Sequence, residues 1–302
     1  MASPELQAIV ELLRSQPVID ADFVARRATM EVATSAWPVP DGTQVEAVTA
    51  GGVPCEWVTA PGAAADRLIL YLHGGAYTTG SLVTHRRHVA QLSAAAGARV
   101  LNVDYRLAPE HPHPAAVVDA VAAYRWLVTD GGASPERVVL CGDSAGGGLA
   151  VAALVALRDA GDPIPAGAAL ISPWTDLTFS GASHDARLEV DPMCSRASLS
   201  PSADAYVGEG DPKAPLVSPA HADLAGLPPL LVHVGDHETL LDDSTMLVER
   251  AAAAGVDVEL WVAPEMIHVW HLFAGMVPES DEALASLGRW IAARVASPLG
   301  QP

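Results

Sequence analysis

The residues best placed to do chemistry lie in Gly142-Asp-Ser-Ala-Gly146, a Gly-x-Ser-x-Gly pentapeptide. The apolar run Val138-Val-Leu-Cys141 precedes it, and an Ala- and Leu-rich stretch over 149–157 follows. A strand that turns straight into a helix strains the backbone of the residue at the turn, and its neighbours must be small for strand and helix to approach. Gly142 and Gly146 meet that need. Such a turn lifts the Ser144 hydroxyl above the sheet and leaves the N–H of Ala145, at the start of the helix, facing the place where an oxyanion would form. The plainer alternative is a glycine-rich turn that only packs a helix on a sheet, and the rest of the chain has to decide between them.

A serine attacks a carbonyl only with a base in hydrogen-bond reach, a carboxylate to orient that base, and N–H donors for the oxyanion. After a nucleophile turn of this kind the acid and then the histidine come from loops behind later strands. His184, His221, His233, His237, His268 and His271 lie downstream of Ser144, and only the last two follow the final strand pattern. His268 ends the short loop Ala263-Pro-Glu-Met-Ile-His268 and is the expected base; His271, a turn deeper, reads as packed or capping. The acid candidates crowd into Gly235-Asp-His-Glu-Thr-Leu-Leu-Asp-Asp-Ser244. Asp242 and Asp243 fall on the first turns of a helix, where capping accounts for them. Spacing alone leaves Asp236 and Glu238 both open.

The elements that must position these groups follow from periodicity. Residues 4–29 carry Leu6, Ile9, Val10 and Leu13 on one stripe and predict one or two amphipathic helices. Segments 44–49 and 53–59 alternate about Gly51-Gly52 as a hairpin. Continuous apolar runs at 67–73, 99–103, 138–143, 166–171, 230–234 and 258–262 predict strands, most of them buried on both faces. Helical patterns at 85–96, 115–128, 149–157, 239–254 and 280–295 separate or follow them; Gly255 is the expected cap of the fourth, and Leu284, Leu287, Ile291 and Val295 form the buried stripe of the last. Alternating strands and helices imply an α/β fold with a mostly parallel, doubly wound sheet. The pattern breaks between 172 and 229, too long for an ordinary connection, and helical signals near 198–207 predict a lid.

Bulk composition narrows the function. With 302 residues and 50% apolar content, one large domain with a lid is expected. A formal charge of −19 argues against nucleic acid or an anionic membrane as partner. Three widely spaced cysteines without a Cys-x-x-Cys pair suggest a reducing compartment. No run reaches membrane-spanning length, and the acidic amino-terminal stretch is unlike a signal peptide, so a cytoplasmic location is expected. His85 with His88, and His111 with His113, superficially suggest metal ligands, but no third ligand stands at suitable spacing, so no metal is expected. No phosphate loop or dinucleotide fingerprint is found, and no cofactor is expected.

Five motifs, His73-Gly-Gly-Ala76, Asp104-Tyr-Arg-Leu-Ala-Pro-Glu110, Gly142-Asp-Ser-Ala-Gly146, 235–243 and Ile267-His-Val-Trp-His271, together resemble the bacterial hormone-sensitive lipase family of α/β-hydrolase carboxylesterases. Their order and spacing match over nearly the whole chain. The resemblance implies an eight-stranded core in a single domain over 1–302, under a cap built from 1–40 and 175–225. It selects Glu238 as the acid, giving a Ser144, His268, Glu238 triad. It places the oxyanion donors in the loop Gly74, Gly75, Ala76, chiefly the N–H groups of Gly75 and Ala76, joined by Ala145. Where the family usually has His-Gly-Gly-Gly, this chain has Ala76, which tolerates fewer backbone angles. His73 is expected to brace the loop, and Asp104, Tyr105 and Arg106 to form a structural polar cluster.

Residues expected near the substrate are Tyr77, Asp143, Trp37, Leu199 and Tyr206, with Val207 beside them; Asp143 is read as supporting the nucleophile and not as the triad acid. The expected reaction is hydrolysis of short- to medium-chain carboxylic esters, with a small-molecule ester as the partner and homodimerisation through the last strand and carboxyl-terminal helix implied by the resemblance. A lactone, carbamate or amide substrate on the same triad is the enzymatic alternative. A non-catalytic receptor on the same fold is the alternative of another class, and the presence of His268 argues against it.

Overall fold

A computed structural model describes residues 2–15 and 22–296. Among them, eight strands form one sheet in the order β1-β2-β4-β3-β5-β6-β7-β8. The strands are β1 (Gln44–Ala50), β2 (Val53–Thr59), β3 (Ala64–Leu72), β4 (Ala98–Val103), β5 (Val138–Asp143), β6 (Gly167–Ile171), β7 (Leu230–Gly235) and β8 (Val258–Ala263). The β1–β2 and β2–β4 pairs are antiparallel, and every pairing from β4 to β8 is parallel. The hairpin turns through Gly51 and Gly52 at φ 60° and 88°, the two left-handed residues that a tight hairpin of matching twist requires.

The helices are α1 (Pro4–Ser15), α2 (Phe23–Ser35), α3 (Leu82–Ala96), α4 (Ala115–Val128), α5 (Ala145–Ala160), α6 (Ser183–Ala186), α7 (Arg196–Val207), α8 (Leu241–Ala253) and α9 (Pro278–Arg294). The expected helical segment 4–29 divides into α1 and α2, the latter capped by Asp22 accepting from the Ala25 N–H; its portion at 16–21 lies outside the described residues. Helix α3 starts three residues before the apolar pattern does, because Ser81 and Thr84 form a reciprocal capping box. The segment between β6 and β7 carries α6 and α7.

Alternation along the strands divides the core between the two faces. Leu70, Leu72, Leu101, Val103 and Leu140 pack with α4 and α5 residues such as Val121, Leu149 and Leu154. Ile69, Tyr71, Val100 and Val139 face Val89 and Leu92 of α3 and Leu284, Leu287 and Ile291 of α9. Covered on both sides, β5 is buried at every position, which is why it reads as an unbroken apolar run. Leu6 of α1 is fully buried, in a third cluster with Met266, Ile267 and Trp270, and Ile9, Val10 and Leu13 pack against it. The amino-terminal stripe thus docks on the loop that carries His268.

Candidate active site

The chain passes from β3 to β4 on one side of the sheet and then returns to β5 on the other. The carboxyl ends of β3 and β5 therefore flank a topological switch point, where open α/β sheets place their sites. The turn after β5 holds Ser144 at φ 53° and ψ −122°, a sparsely populated conformation that costs on the order of 1–3 kcal/mol and persists only where its surroundings enforce it. The enforcement is steric. A Cβ at Gly146 would collide with the carbonyl oxygens of Leu72 and His73, and one at Gly142 would come within 2.8 Å of the Leu72 oxygen.

Three segments meet at this turn. His268 Nε2 lies 3.0 Å from Ser144 Oγ, and His268 Nδ1 lies 2.7 Å from Glu238 Oε2. Glu238 is fully buried, and its other oxygen accepts from Ser172 Oγ at 2.8 Å and the Gly235 N–H at 2.6 Å. Asp236, the competing carboxylate, is half-buried and accepts from the Glu265 N–H. A carboxylate at Nδ1 fixes the proton there and leaves Nε2 as the acceptor facing the serine hydroxyl.

Burial alone disfavours an imidazolium at His268, but the adjoining Cys194 and Glu238 overturn that and raise its pKa well above the ordinary histidine value. Burial also pushes the Cys194 thiol up.

The loop after β3 supplies donors. The N–H groups of Gly75, Ala76 and Ala145 have no hydrogen-bond partner among the described residues. Gly74 differs from expectation. Its N–H donates to Asp143 Oδ1 at 2.9 Å, so it is committed to bracing the loop and is not available to an oxyanion. The same contact relocates Asp143, which is buried and also accepts from the Tyr71 hydroxyl at 2.6 Å, with His85 Nε2 3.5 Å from its second oxygen. It ties the loop after β3 to the turn after β5. Burial works against its charge, but His85 and Tyr71 outweigh that and hold its pKa well below the usual carboxylate value.

His73 stacks on Tyr105 and its Nδ1 contacts the Gly74 carbonyl at 2.8 Å, while burial drives its pKa down to about 3. The expected cluster of Asp104, Tyr105 and Arg106 is divided among outside partners: Arg106 pairs with Asp119, the Tyr105 hydroxyl donates to the His73 carbonyl, and the Asp104 N–H donates to the Pro54 carbonyl. Ala76 takes φ 53° and Tyr77 φ 61°, so the alanine occupies the left-handed region that favours glycine.

Tyr77 and Tyr206 are both buried and stack with ring centroids 3.7 Å apart, joining the loop after β3 to α7, where Leu199 is also buried. Trp37 is elsewhere. It packs on Phe273 and beneath the Arg87 guanidinium, in a groove with Val39, Pro40, Gln91 and Met276 that contains none of the catalytic candidates. The chain leaving α2 crosses α3 at this point, and a sequence position in a cap does not reveal that path.

Asp242 and Asp243 do not cap their own helix as expected, since α8 has no side-chain cap hydrogen bond. Asp243 Oδ1 accepts from the N–H groups of Thr175 and Asp176, and Asp242 from that of Ser183, so both fasten the segment after β6 to α8. His271 is buried with Nε2 3.0 Å from His233 Nδ1. Among the described residues no group of three or more His, Cys, Asp or Glu side chains could hold a metal. Sequence reasoning missed Ser172, which at φ 44° directs its hydroxyl to Glu238 and accepts the Val269 N–H at 3.1 Å. Its position just behind β6, at the sheet edge where the other groups lie, was the available signal.

The chain matches the alpha/beta hydrolase fold family over residues 69–272. It is 47% identical over 295 residues to an acetyl-hydrolase of Streptomyces hygroscopicus, covering 96% of this chain and 97% of that protein. A crystal structure of an esterase from the bacterial hormone-sensitive lipase family superposes with a TM-score of 0.94 at 46% identity, over 98% of this chain and 100% of the other. A crystal structure of EstE5 soaked with p-nitrophenyl butyrate matches with the same score, identity and coverage.

Proposed function

The chain belongs to the bacterial hormone-sensitive lipase family of α/β-hydrolase esterases, and on that premise we propose that it is a carboxylesterase working through a Ser144, His268, Glu238 triad on short- to medium-chain esters. The observation that carries the reading is the unbroken chain of contacts from Glu238 Oε2 to His268 Nδ1 at 2.7 Å and from His268 Nε2 to Ser144 Oγ at 3.0 Å. Ser144 Oγ attacks the ester carbonyl while its proton passes to Nε2, and the N–H groups of Gly75, Ala76 and Ala145 receive the oxyanion. Collapse of the tetrahedral species expels the alcohol, protonated by His268. The acyl-serine is then hydrolysed by a water that gives its proton to the same nitrogen. Each oxyanion donor contributes about 3–4 kcal/mol to the barrier reduction.

The acyl side is assigned to Tyr77, Leu199 and Tyr206, since α7 closes over the oxyanion loop through the tyrosine stack. The acetyl-hydrolase name of one relative and the butyrate ester soaked into another favour small acyl groups. We read 1–302 as one domain, with its cap formed from 1–40 and 175–225. Self-association through β8 and α9 is part of the same proposal, because β8 is an edge strand with Leu260 and Val262 each 38% exposed. Free, buried Cys55, Cys141 and Cys194 favour a cytoplasmic location. No helix of the described residues is long and apolar enough to cross a membrane.

The test is Ser144→Ala assayed on p-nitrophenyl butyrate. Turnover falls by at least ~10⁴ with the circular dichroism spectrum unchanged; retained turnover overturns the assignment.

A further inference from the structure

The oxyanion loop carries two successive left-handed residues with side chains, Ala76 and Tyr77. Each is disfavoured by the contact of Cβ with the following carbonyl oxygen, so the conformation needs external restraint. From beneath, Asp143 holds Gly74. On the other side the restraint comes from α2. The Arg27 guanidinium donates from Nε to the Thr78 carbonyl at 2.7 Å and from Nη2 to the Ala108 carbonyl at 2.7 Å. Nη1 and Nη2 also grip the Glu110 carboxylate at 2.9 and 2.8 Å. Ala108 in turn donates its N–H to the Tyr77 carbonyl at 2.9 Å. The two carbonyls behind the strained pair are thus both occupied, one by Arg27 directly and one by a residue that Arg27 holds. A planar fork with five N–H donors suits this arrangement, and a lysine ammonium does not.

We propose that Arg27 is a positioning residue of the reaction: by tying Thr78 and Ala108 to α2 it holds the Ala76–Tyr77 turn in the left-handed conformation that keeps the Gly75 and Ala76 N–H groups free for the oxyanion. The proposal rests on the esterase reading above. It makes the docking of α2 part of the catalytic geometry, because a substrate oxyanion is bound only as well as this loop is held. Glu110 orients the guanidinium from its exposed side and does not touch the loop carbonyls, so it is the less critical partner.

The experiment compares kcat and KM for p-nitrophenyl butyrate in wild type, Arg27→Ala, Arg27→Lys and Glu110→Gln, with melting temperatures measured alongside. Arg27→Ala loses on the order of tenfold or more in kcat with KM within about twofold, a fraction of what loss of a whole oxyanion donor costs. Arg27→Lys falls between it and wild type, and Glu110→Gln stays near wild type. Should Arg27→Ala not fold, a lowered kcat at unchanged KM in Arg27→Lys supports the role and an unchanged kcat overturns it. The proposal also fails if folded Arg27→Ala turns over like wild type, if its defect lies in KM alone, or if Glu110→Gln loses as much. A wild type without Ser144-dependent turnover overturns the esterase reading and the role of Arg27 together; an active wild type with an unaffected Arg27→Ala overturns the role alone.

Discussion

Replacing Glu238 by glutamine changes one atom and tests how the base is set. Two donors, Ser172 Oγ at 2.8 Å and the Gly235 N–H at 2.6 Å, face Oε1. In Glu238→Gln the amide oxygen must stay with those donors, so its NH₂ group turns toward His268 Nδ1, 2.7 Å from Oε2 in the parent. A donor facing Nδ1 forces the imidazole into the tautomer with its proton on Nε2. That nitrogen then presents a proton instead of a lone pair to Ser144 Oγ, 3.0 Å away. The shape of the site is kept and the base is lost. A carboxylate-to-amide change of this kind in a serine triad lowers kcat by ~10⁴, equivalent to about 5.5 kcal/mol in the barrier. The assay is kcat for p-nitrophenyl butyrate at saturation, with Asp236→Asn, whose parent side chain contacts the Glu265 N–H, as the control that stays near wild type. A loss below about tenfold in Glu238→Gln, or a larger loss in Asp236→Asn, refutes the reasoning.

The raised pKa of His268 predicts an acid limb of kcat/KM centred above the ordinary histidine value of about 6.5, because only the neutral ring accepts the serine proton. The same shift has the opposite sign for stability: the histidine's contribution is complete below its unfolded pKa and is lost as pH rises through the folded one, so melting temperature falls over the range in which activity rises. Titrating both across the neutral to alkaline range checks the pair; a limb at or below 6.5 contradicts the assignment. Ala76→Gly removes the left-handed cost of about 1–2 kcal/mol and adds about 0.4–1 kcal/mol of unfolded-state entropy, a net stabilisation of about 0.5–1 kcal/mol. Thermal melts should rise by roughly 1–3 °C, and a fall would show that the methyl makes contacts that matter more than the strain.

The parts of the site legible in the sequence were those written locally. The elbow needs Gly142 and Gly146 next to Ser144, and parallel strands buried on both faces read as apolar runs whose carboxyl ends then lie on one edge of the sheet. That is why strand order points to His268 and confines the acid to the segment after β7, where only the family resemblance selects Glu238 over Asp236. What was hidden depends on which of several polar groups a donor meets in space. Nothing local tells that the Gly74 N–H is taken by Asp143, 69 residues away, or that Ser172 serves Glu238 across 66 residues. Trp37 was misplaced for the same reason, since its neighbours Phe273 and Arg87 come from distant segments.

The central claim is that Ser144 is an activated nucleophile. Reaction with a fluorophosphonate, followed by mass spectrometry of the digested protein, tests it directly. The account predicts one stoichiometric adduct, on the peptide containing Ser144, whose formation slows sharply in His268→Ala. No adduct, or an adduct on another serine, would contradict it.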